Sequence, residues 1–390
     1  MRDIEDLELT GYRREGGGVG FRNHVVILPT SVCSSETAVR ICGEVEGTVA
    51  LPHQHGCCQI GADLETTRRT LTGLARNPNV AAVLVVSLGC ETLSPSGILD
   101  ELSEIGKPAD HVTIQEEGGS RSAVACGAEK ARRLVKIASG VERREVGVGE
   151  LTLAIECGGS DATSGLAANP VAGRCADRLI ESGGTVIFSE TTELVGAEHL
   201  LARRATDPHT RNRLLEIVDR VERRAKAMGV DLRGGQPTPG NIEGGLTTIE
   251  EKSLGCVYKG GGSPLMGVLE YAEPPPSRGL HFMDTPGQDI ESITGMLAGG
   301  AQLVIFTTGR GTPTGSPIAP VIKVTGNAMT WERMRDHIDF DASAVLQGAC
   351  VEEVGDRLFE CMLRVASGHL TKAERLGHRE FAIHRISSSF

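Results

Sequence analysis

The sequence has few aromatic side chains, no excess of basic ones and no long apolar run. Aromatic residues make up 3% of its 390 positions, so the core must be built from Val, Ile, Leu and Ala. Acidic residues outnumber basic ones by 51 to 40, a formal charge of −11. That excludes the basic footprint of a nucleic-acid binder. Nothing approaches the ~18 consecutive apolar residues of a membrane span. The charged start Met1-Arg2-Asp3-Ile4-Glu5-Asp6 lacks the apolar segment of a secretory signal. A soluble cytoplasmic protein is expected, with neither nucleic acid nor membrane as partner. Missing too are a CxxC pair, a P-loop and a GxSxG nucleophile elbow. Glu15-Gly16-Gly17-Gly18-Val19-Gly20 has no strand before it and no helix directly after it, so it is not a dinucleotide fingerprint.

What is present is glycine, 50 residues, and cysteine, 11 residues. In a reducing compartment clustered cysteines point to metal or catalytic sites before disulfides. Short β-branched runs alternate with amphipathic stretches. Strands are predicted at His24–Leu28, Thr48–Leu51, Ala81–Ser87, Val112–Glu116, Leu151–Glu156, Thr185–Ser189, Leu280–Met283, Leu303–Thr307 and Val321–Val324. Helical patterns include Leu64–Ala75, Ala123–Ala138, Ala172–Glu181, Leu194–Arg203, Arg211–Met228 and Ile290–Leu297. Strands apolar on both faces, alternating with helices, predict an α/β fold with a parallel sheet. A charged stretch at 140–150 places a domain boundary there, giving domains 1–145 and 146–390. The Gly/Pro-rich segment 229–247 is too long for a simple connection and is expected to serve function.

Three cysteines follow predicted strands, each beside glycine: Cys57 after Thr48–Leu51, Cys90 after Ala81–Ser87, and Cys157 after Leu151–Glu156. Ligands of open α/β sheets bind at the carboxyl ends of strands, so the three thiols are expected to converge on one metal or cluster. Three thiolates suit a 4Fe–4S cluster with one open iron. One or two, with His53 or His55 and a carboxylate, suit a single ferrous ion. Cys42, Cys126, Cys175, Cys350 and Cys361 read as ordinary packing residues on helical patterns. Later, Thr247 or Thr248 followed by Glu250 or Glu251 has a capping-box pattern, in a string that ends at Cys256. Arg310, set among glycines after Leu303–Phe306, suits bidentate recognition of a carboxylate.

These strings recur together in a known family. Gly20-Phe21-Arg22-Asn23, His53-x-x-Gly56-Cys57, Leu88-Gly89-Cys90-Glu91, Glu156-Cys157-Gly158-Gly159-Ser160-Asp161, Pro239-Gly240-Asn241, Glu251-Lys252-Ser253-Leu254-Gly255-Cys256 and Phe306-Thr307-Thr308-Gly309-Arg310-Gly311 resemble the altronate/galactarate dehydratases over nearly the whole chain. The resemblance implies dehydration of sugar acids with ferrous iron or a similar divalent metal. It implies a dimerising α/β domain followed by a Rossmann-like domain with a parallel sheet. Full-length members carry a small β-clip domain ahead of this region; here it would be a separate small subunit or dispensed with. The family also includes the two-subunit sulfolactate sulfo-lyase, which keeps that activity open as an alternative.

The expected chemistry is removal of the C2 proton from a 2-hydroxy carboxylate with loss of hydroxide or sulfite from C3, a metal stabilising the developing charge. His53 or His55 is the first choice of base, Glu91 or Lys252 the next. Gly158, Gly159, Ser160, Asp161, Asn241, Thr308 and Arg310 are expected to contact substrate. Cys57, Cys90, Cys157 and Cys256 are the candidate metal ligands, and the family pattern favours Cys57 over Cys58. The competing class is an iron–sulfur redox or binding protein, which would have four cysteine ligands and no spectral response to substrate.

Overall fold

The computed structural model describes residues 9–387; the outermost residues of the two expected domains, 1–8 and 388–390, lie outside it. In chain order the strands are β1 (Thr10–Arg13), β2 (Val19–Gly20), β3 (His24–Pro29), β4 (Thr48–Ala50), β5 (Val80–Ser87), β6 (Ala109–Thr113), β7 (Arg144–Glu145), β8 (Thr152–Cys157), β9 (Thr185–Phe188), β10 (Leu265–Leu269), β11 (Gly279–Met283), β12 (Leu303–Thr307), β13 (Val321–Thr325) and β14 (Phe340–Asp341). They form two parallel sheets, ordered β4-β3-β5-β6 and β10-β11-β9-β8-β12-β13-β14, and a small antiparallel ribbon, β2-β1-β7. The chain is a two-domain α/β protein. No helix among the described residues is long and apolar enough to cross a membrane.

Strand periodicity explains the layering. In β3 and β5, Val26, Leu28, Val83 and Val85 face one core while Val25, Ile27, Ala82, Leu84 and Val86 face another. In β8, Ala154 faces the core shared with the first sheet, and Leu153 and Ile155 face the far side of the second. Two-faced burial needs helices on both sides, which the alternating connections supply. Helices Gly61–Arg76 and Asp289–Ala298 lie in the shared layer between the sheets. Polar clamps fix the docking: Asn77 Nδ2 donates to Leu297 O and Ala301 O, both at 2.8 Å, and Asn79 Nδ2 to Gln302 O at 2.7 Å and Ile318 O at 3.0 Å. Arg22 reaches Glu374 at 2.6 Å.

In the first parallel sheet the strand order reverses between β3 and β5; in the second, a central reversal lies between β8 and β12. A crevice opens there at the strands' carboxyl ends because the connections leave in opposite directions.

Some elements differ from expectation. The strand predicted at Val112–Glu116 runs Ala109–Thr113, and the helix predicted at Leu194–Arg203 shrinks to Glu198–Ala202. In the latter, Leu194 and Val195 belong to a buried turn that carries Glu193. The edge strand β10 was not anticipated, because Gly267 interrupts its apolar run.

Candidate functional site

The second switch point holds a buried polar cluster. Cys157 ends β8, and Cys256 sits in helix Ile249–Tyr258, which packs over the crevice. Their Sγ atoms are 3.4 Å apart, and Glu193 Oε2 lies 2.9 Å from Cys157 Sγ and 2.7 Å from Cys256 Sγ. Lys252 Nζ is 2.9 Å from Glu193 Oε1. Lys259 Nζ is 3.2 Å from Cys157 Sγ and also bonds Glu190. Cys157 is 1% exposed, Cys256 3% and Lys259 1%, so these charges interact with little solvent screening.

Burial works against a charge on Glu193, but Lys252 and Lys259 hold its carboxyl down at about 2. Lys252 is likewise penalised by burial, yet Glu193 raises it, so the ammonium keeps its proton. The hydrogen bond with Cys256, then burial, pushes the Cys157 thiol well up. Burial and the neighbouring Glu190 carboxylate raise Asp289 to about 7. Glu190 holds φ at 79°, an uncommon conformation for a side chain that size; its amide donates to Thr285 Oγ1 at 2.9 Å.

The loops after β8 and β12 build the crevice walls. The amides of Gly309 and Arg310 donate to Gly159 O at 3.2 and 2.9 Å. A Cβ on Gly158 would fall on the Asp289 carboxylate and the Phe306 ring, so a larger residue would force these side chains to shift. Gly159 adopts φ +59°. Asn241 Nδ2 donates to Ser160 O at 2.9 Å, tying segment 229–247 to the strand-end loop. A pocket of about 290 Å³ opens beside the cluster, lined by Ser160, Asp161, Ser164, Asn169, Lys252 and Cys256 among others.

Several expected substrate contacts have work within the fold. Asp161 accepts from Thr163 N at 2.8 Å, Ser164 N at 3.1 Å and Asn327 Nδ2 at 2.8 Å. Thr308 Oγ1 accepts from Gly311 N at 2.9 Å. Arg310 Nη1 donates to Gly240 O at 2.6 Å and Glu243 Oε2 at 2.8 Å. Thr248 caps its helix by accepting from Glu251 N at 3.1 Å, and Glu251 Oε2 reaches back to Thr247 N at 2.8 Å.

The expected first-domain residues gather around the other switch point. Glu91 accepts from the Thr30 hydroxyl, from Leu88 N at 3.0 Å and from Gly89 N at 2.7 Å. Burial opposes its charge, but these donors hold the carboxyl below its usual value. His53 is buried with both ring nitrogens engaged: Nε2 with Pro29 O at 2.8 Å, Nδ1 with His55 N at 3.1 Å. Burial pushes its pKa down to about 4. His55 Nε2 bonds Ile383 O at 3.1 Å. Cys57 and Cys90 are exposed.

Among the described residues two groups could hold a metal ion, their ligand atoms within 4.8 Å of one another: Cys157, Glu193 and Cys256, and Glu156, Glu190 and Asp289. The first mixes two thiols with a carboxylate, donors that suit ferrous iron or zinc. Neither group contains Cys57 or Cys90. Sequence reasoning brought Cys157, Cys256 and Lys252 to the site but missed Glu190, Glu193 and Lys259. A signal for the glutamates existed: Ser189-Glu190-Thr191-Thr192-Glu193 follows β9 just as Cys157 ends β8.

Comparison with known proteins identifies the family. Residues 148–389 match the C-terminal domain of D-galactarate/altronate dehydratase, and residues 11–139 match the second domain of D-galactarate dehydratase/altronate hydrolase. The chain is 44% identical to (2R)-sulfolactate sulfo-lyase subunit beta of Chromohalobacter salexigens, over 99% of this chain and all of that protein. It is 34% identical to altronate dehydratase of Bacillus subtilis, over 97% of this chain and 78% of that protein. Galactarate dehydratase (L-threo-forming) of Escherichia coli matches at 38% identity over 77% of this chain and 59% of that protein. The chain therefore belongs to the galactarate/altronate dehydratase family and is an enzyme of the lyase class.

Proposed function

We propose that the chain is the catalytic subunit of a lyase that expels sulfite from C3 of (2R)-sulfolactate, and that residues 1–145 and 146–390 are its two functional units. The observation that carries the lyase reading is the buried Cys157–Glu193–Cys256 cluster, opening past Lys252 into a pocket at a topological switch point. Sugar acids such as altronate or galactarate were the first expectation from sequence. The relative matched along its whole length, at 44% identity, supports moving sulfolactate ahead of them. Its name as a subunit supports a partner subunit here, and a homodimer and a cytoplasmic setting remain part of the proposal.

Cys157, Cys256 and Glu193 would hold a divalent metal, with ferrous iron the first candidate. Bound there, it would supply a Lewis acid for the charge that develops on the substrate carboxylate. Lys252 stands on the pocket wall as an ammonium fixed by Glu193 and by Gln236 Oε1 at 3.4 Å. Its ammonium binds the substrate's anionic end. Arg310, engaged with Glu243 and Gly240 O, braces the segment over the pocket. The Gly158–Asp161 loop, held by Asn241, shapes the crevice and keeps bulk water from buried Lys259. His53, with both ring nitrogens bonded to the backbone, and Lys252, which keeps its proton, are not free to accept the C2 proton.

The test is product analysis on protein purified anaerobically from its own cells, so that any partner stays bound. Sulfite released from (2R)-sulfolactate, with little 2-keto-3-deoxy acid from altronate or galactarate, supports the reading. The opposite preference returns the assignment to a sugar acid. Lys252→Met, which removes the ammonium that binds the substrate's anionic end, should weaken substrate binding and cut turnover sharply.

A further inference from the structure

We propose that a second divalent-cation site, made only of oxygen, lies beside the thiol cluster: Glu156, Glu190 and Asp289 bind a hard cation such as Mg²⁺ or Mn²⁺. Three elements bring the carboxylates together. Glu156 is the penultimate residue of β8, Glu190 follows β9, and Asp289 opens helix Asp289–Ala298. One carboxylate oxygen of each lies within 4.8 Å of those of the other two.

The atoms left over point to a missing ligand. Glu156 and Glu190 are both 0% exposed. Glu156 Oε2 accepts from Ser292 Oγ at 2.7 Å and Ser189 Oγ at 3.3 Å. Glu190 Oε2 accepts from Cys157 N at 3.1 Å and from Lys259. The other oxygen of each, Glu156 Oε1 and Glu190 Oε1, is buried with no hydrogen-bond partner. Folded proteins seldom tolerate one such acceptor, let alone two on neighbouring carboxylates. A cation would satisfy both.

The three carboxylates crowd into one site, and the ammonium nearest to them, Lys259, pairs with Glu190 through the oxygen that is already bonded. Oxygen-only donors select hard cations, whereas the thiol group selects softer ones. Asp289 is half-buried and gives the ion a way in. The competing account of the orphan oxygens is a proton shared by Glu156 and Glu190, which needs no metal.

The experiment uses full-length protein, with any bound partner, stripped of metal by a chelator. Manganese is titrated in and free Mn²⁺ is read by electron paramagnetic resonance. Thermal unfolding is followed in parallel. The wild type and a Cys157→Ser/Cys256→Ser double variant should each bind about one Mn²⁺ per chain, displaced by excess Mg²⁺. Glu156→Gln should weaken that binding by roughly tenfold or more, and Mn²⁺ should raise the melting temperature of the wild type but not of this variant. Asp289→Asn, at the rim, repeats the test should Glu156→Gln fail to fold. Absence of Mn²⁺ binding to the double cysteine variant would overturn the site and favour the shared proton. So would unchanged binding in the carboxylate variants. The readout is independent of which hydroxy acid the enzyme uses, so its failure would leave the lyase reading intact.

Discussion

The two parallel sheets repeat one topological device and fill it differently. At the β3/β5 switch, Glu91 is neutralised by backbone N–H groups and the Thr30 hydroxyl, and Cys57 and Cys90 are exposed. At the β8/β12 switch, two thiols and three glutamates are buried with Lys259, and half-buried Lys252 pairs with Glu193 where helix Ile249–Tyr258 covers the crevice. Strand order provides a crevice in both cases; what lies over it decides the chemistry. Under a cover, each charge needs a specific partner, and the partners form a network whose proton affinities are far from their ordinary values. In the first crevice the carboxylate faces backbone donors instead of buried cations, and burial lowers the proton affinity of His53.

The sharpest way to break this comparison is to remove one charge from each crevice. Lys259→Met leaves Glu190 and Glu193 short of a buried partner and should cost about 3–5 kcal/mol. Glu91→Gln, whose partners are hydrogen-bond donors, should cost about 1–2 kcal/mol. Urea denaturation of both variants checks the ranking, and equal losses would mean that burial does not distinguish the two crevices.

Acid should act on the first domain through His53. Its folded pKa of about 4 lies below the ordinary value of 6.5, so the unfolded chain takes up the proton first. The stability His53 contributes is complete above pH 6.5 and is lost as pH falls toward 4, by up to about 3 kcal/mol. His53→Gln should flatten the fall between pH 6.5 and 5 in the same denaturation assay. An unchanged slope would mean that His53 titrates normally. A more local effect belongs to Gly158→Ala, whose methyl group would press on Asp289 and Phe306. It should cost about 1–3 kcal/mol and disturb only the second crevice. Melting curves check the loss, and thiol titration checks the locality.

That titration sharpens the comparison further. With a chromogenic disulfide reagent, Cys33, Cys57, Cys58, Cys90 and Cys350, all exposed, should react quickly in the native protein. Cys157 and Cys256 should react only on unfolding. Rapid loss of Cys256 would mean that the cover over the second crevice is open in solution.

Much of the frame was legible in the sequence. Apolar runs such as Val80–Ser87 and Leu303–Thr307 are buried along their whole length, and such runs followed by glycine announce a parallel strand and its ligand-binding end. What spacing along the chain cannot show is which strand ends are neighbours. Cys57, Cys90 and Cys157 occupy equivalent places after strands, but the first two belong to one sheet and the third to another. Lys259 follows a helix, and Glu190 and Glu193 follow a strand, places where a charge is ordinarily solvated. All three are buried because chain segments far apart in sequence close over them. Cys256 was within reach only through the string around it, since a cysteine in a helix carries no signal of its own.

The account's central claim is that the chemistry resides in the second crevice. Metal content of anaerobically purified Cys256→Ser beside Cys57→Ser, with turnover measured on the same samples, tests it most directly. The account predicts that Cys256→Ser loses its iron and its activity while Cys57→Ser keeps both. Iron and activity retained in Cys256→Ser but lost in Cys57→Ser would place the reaction at the first crevice and contradict it.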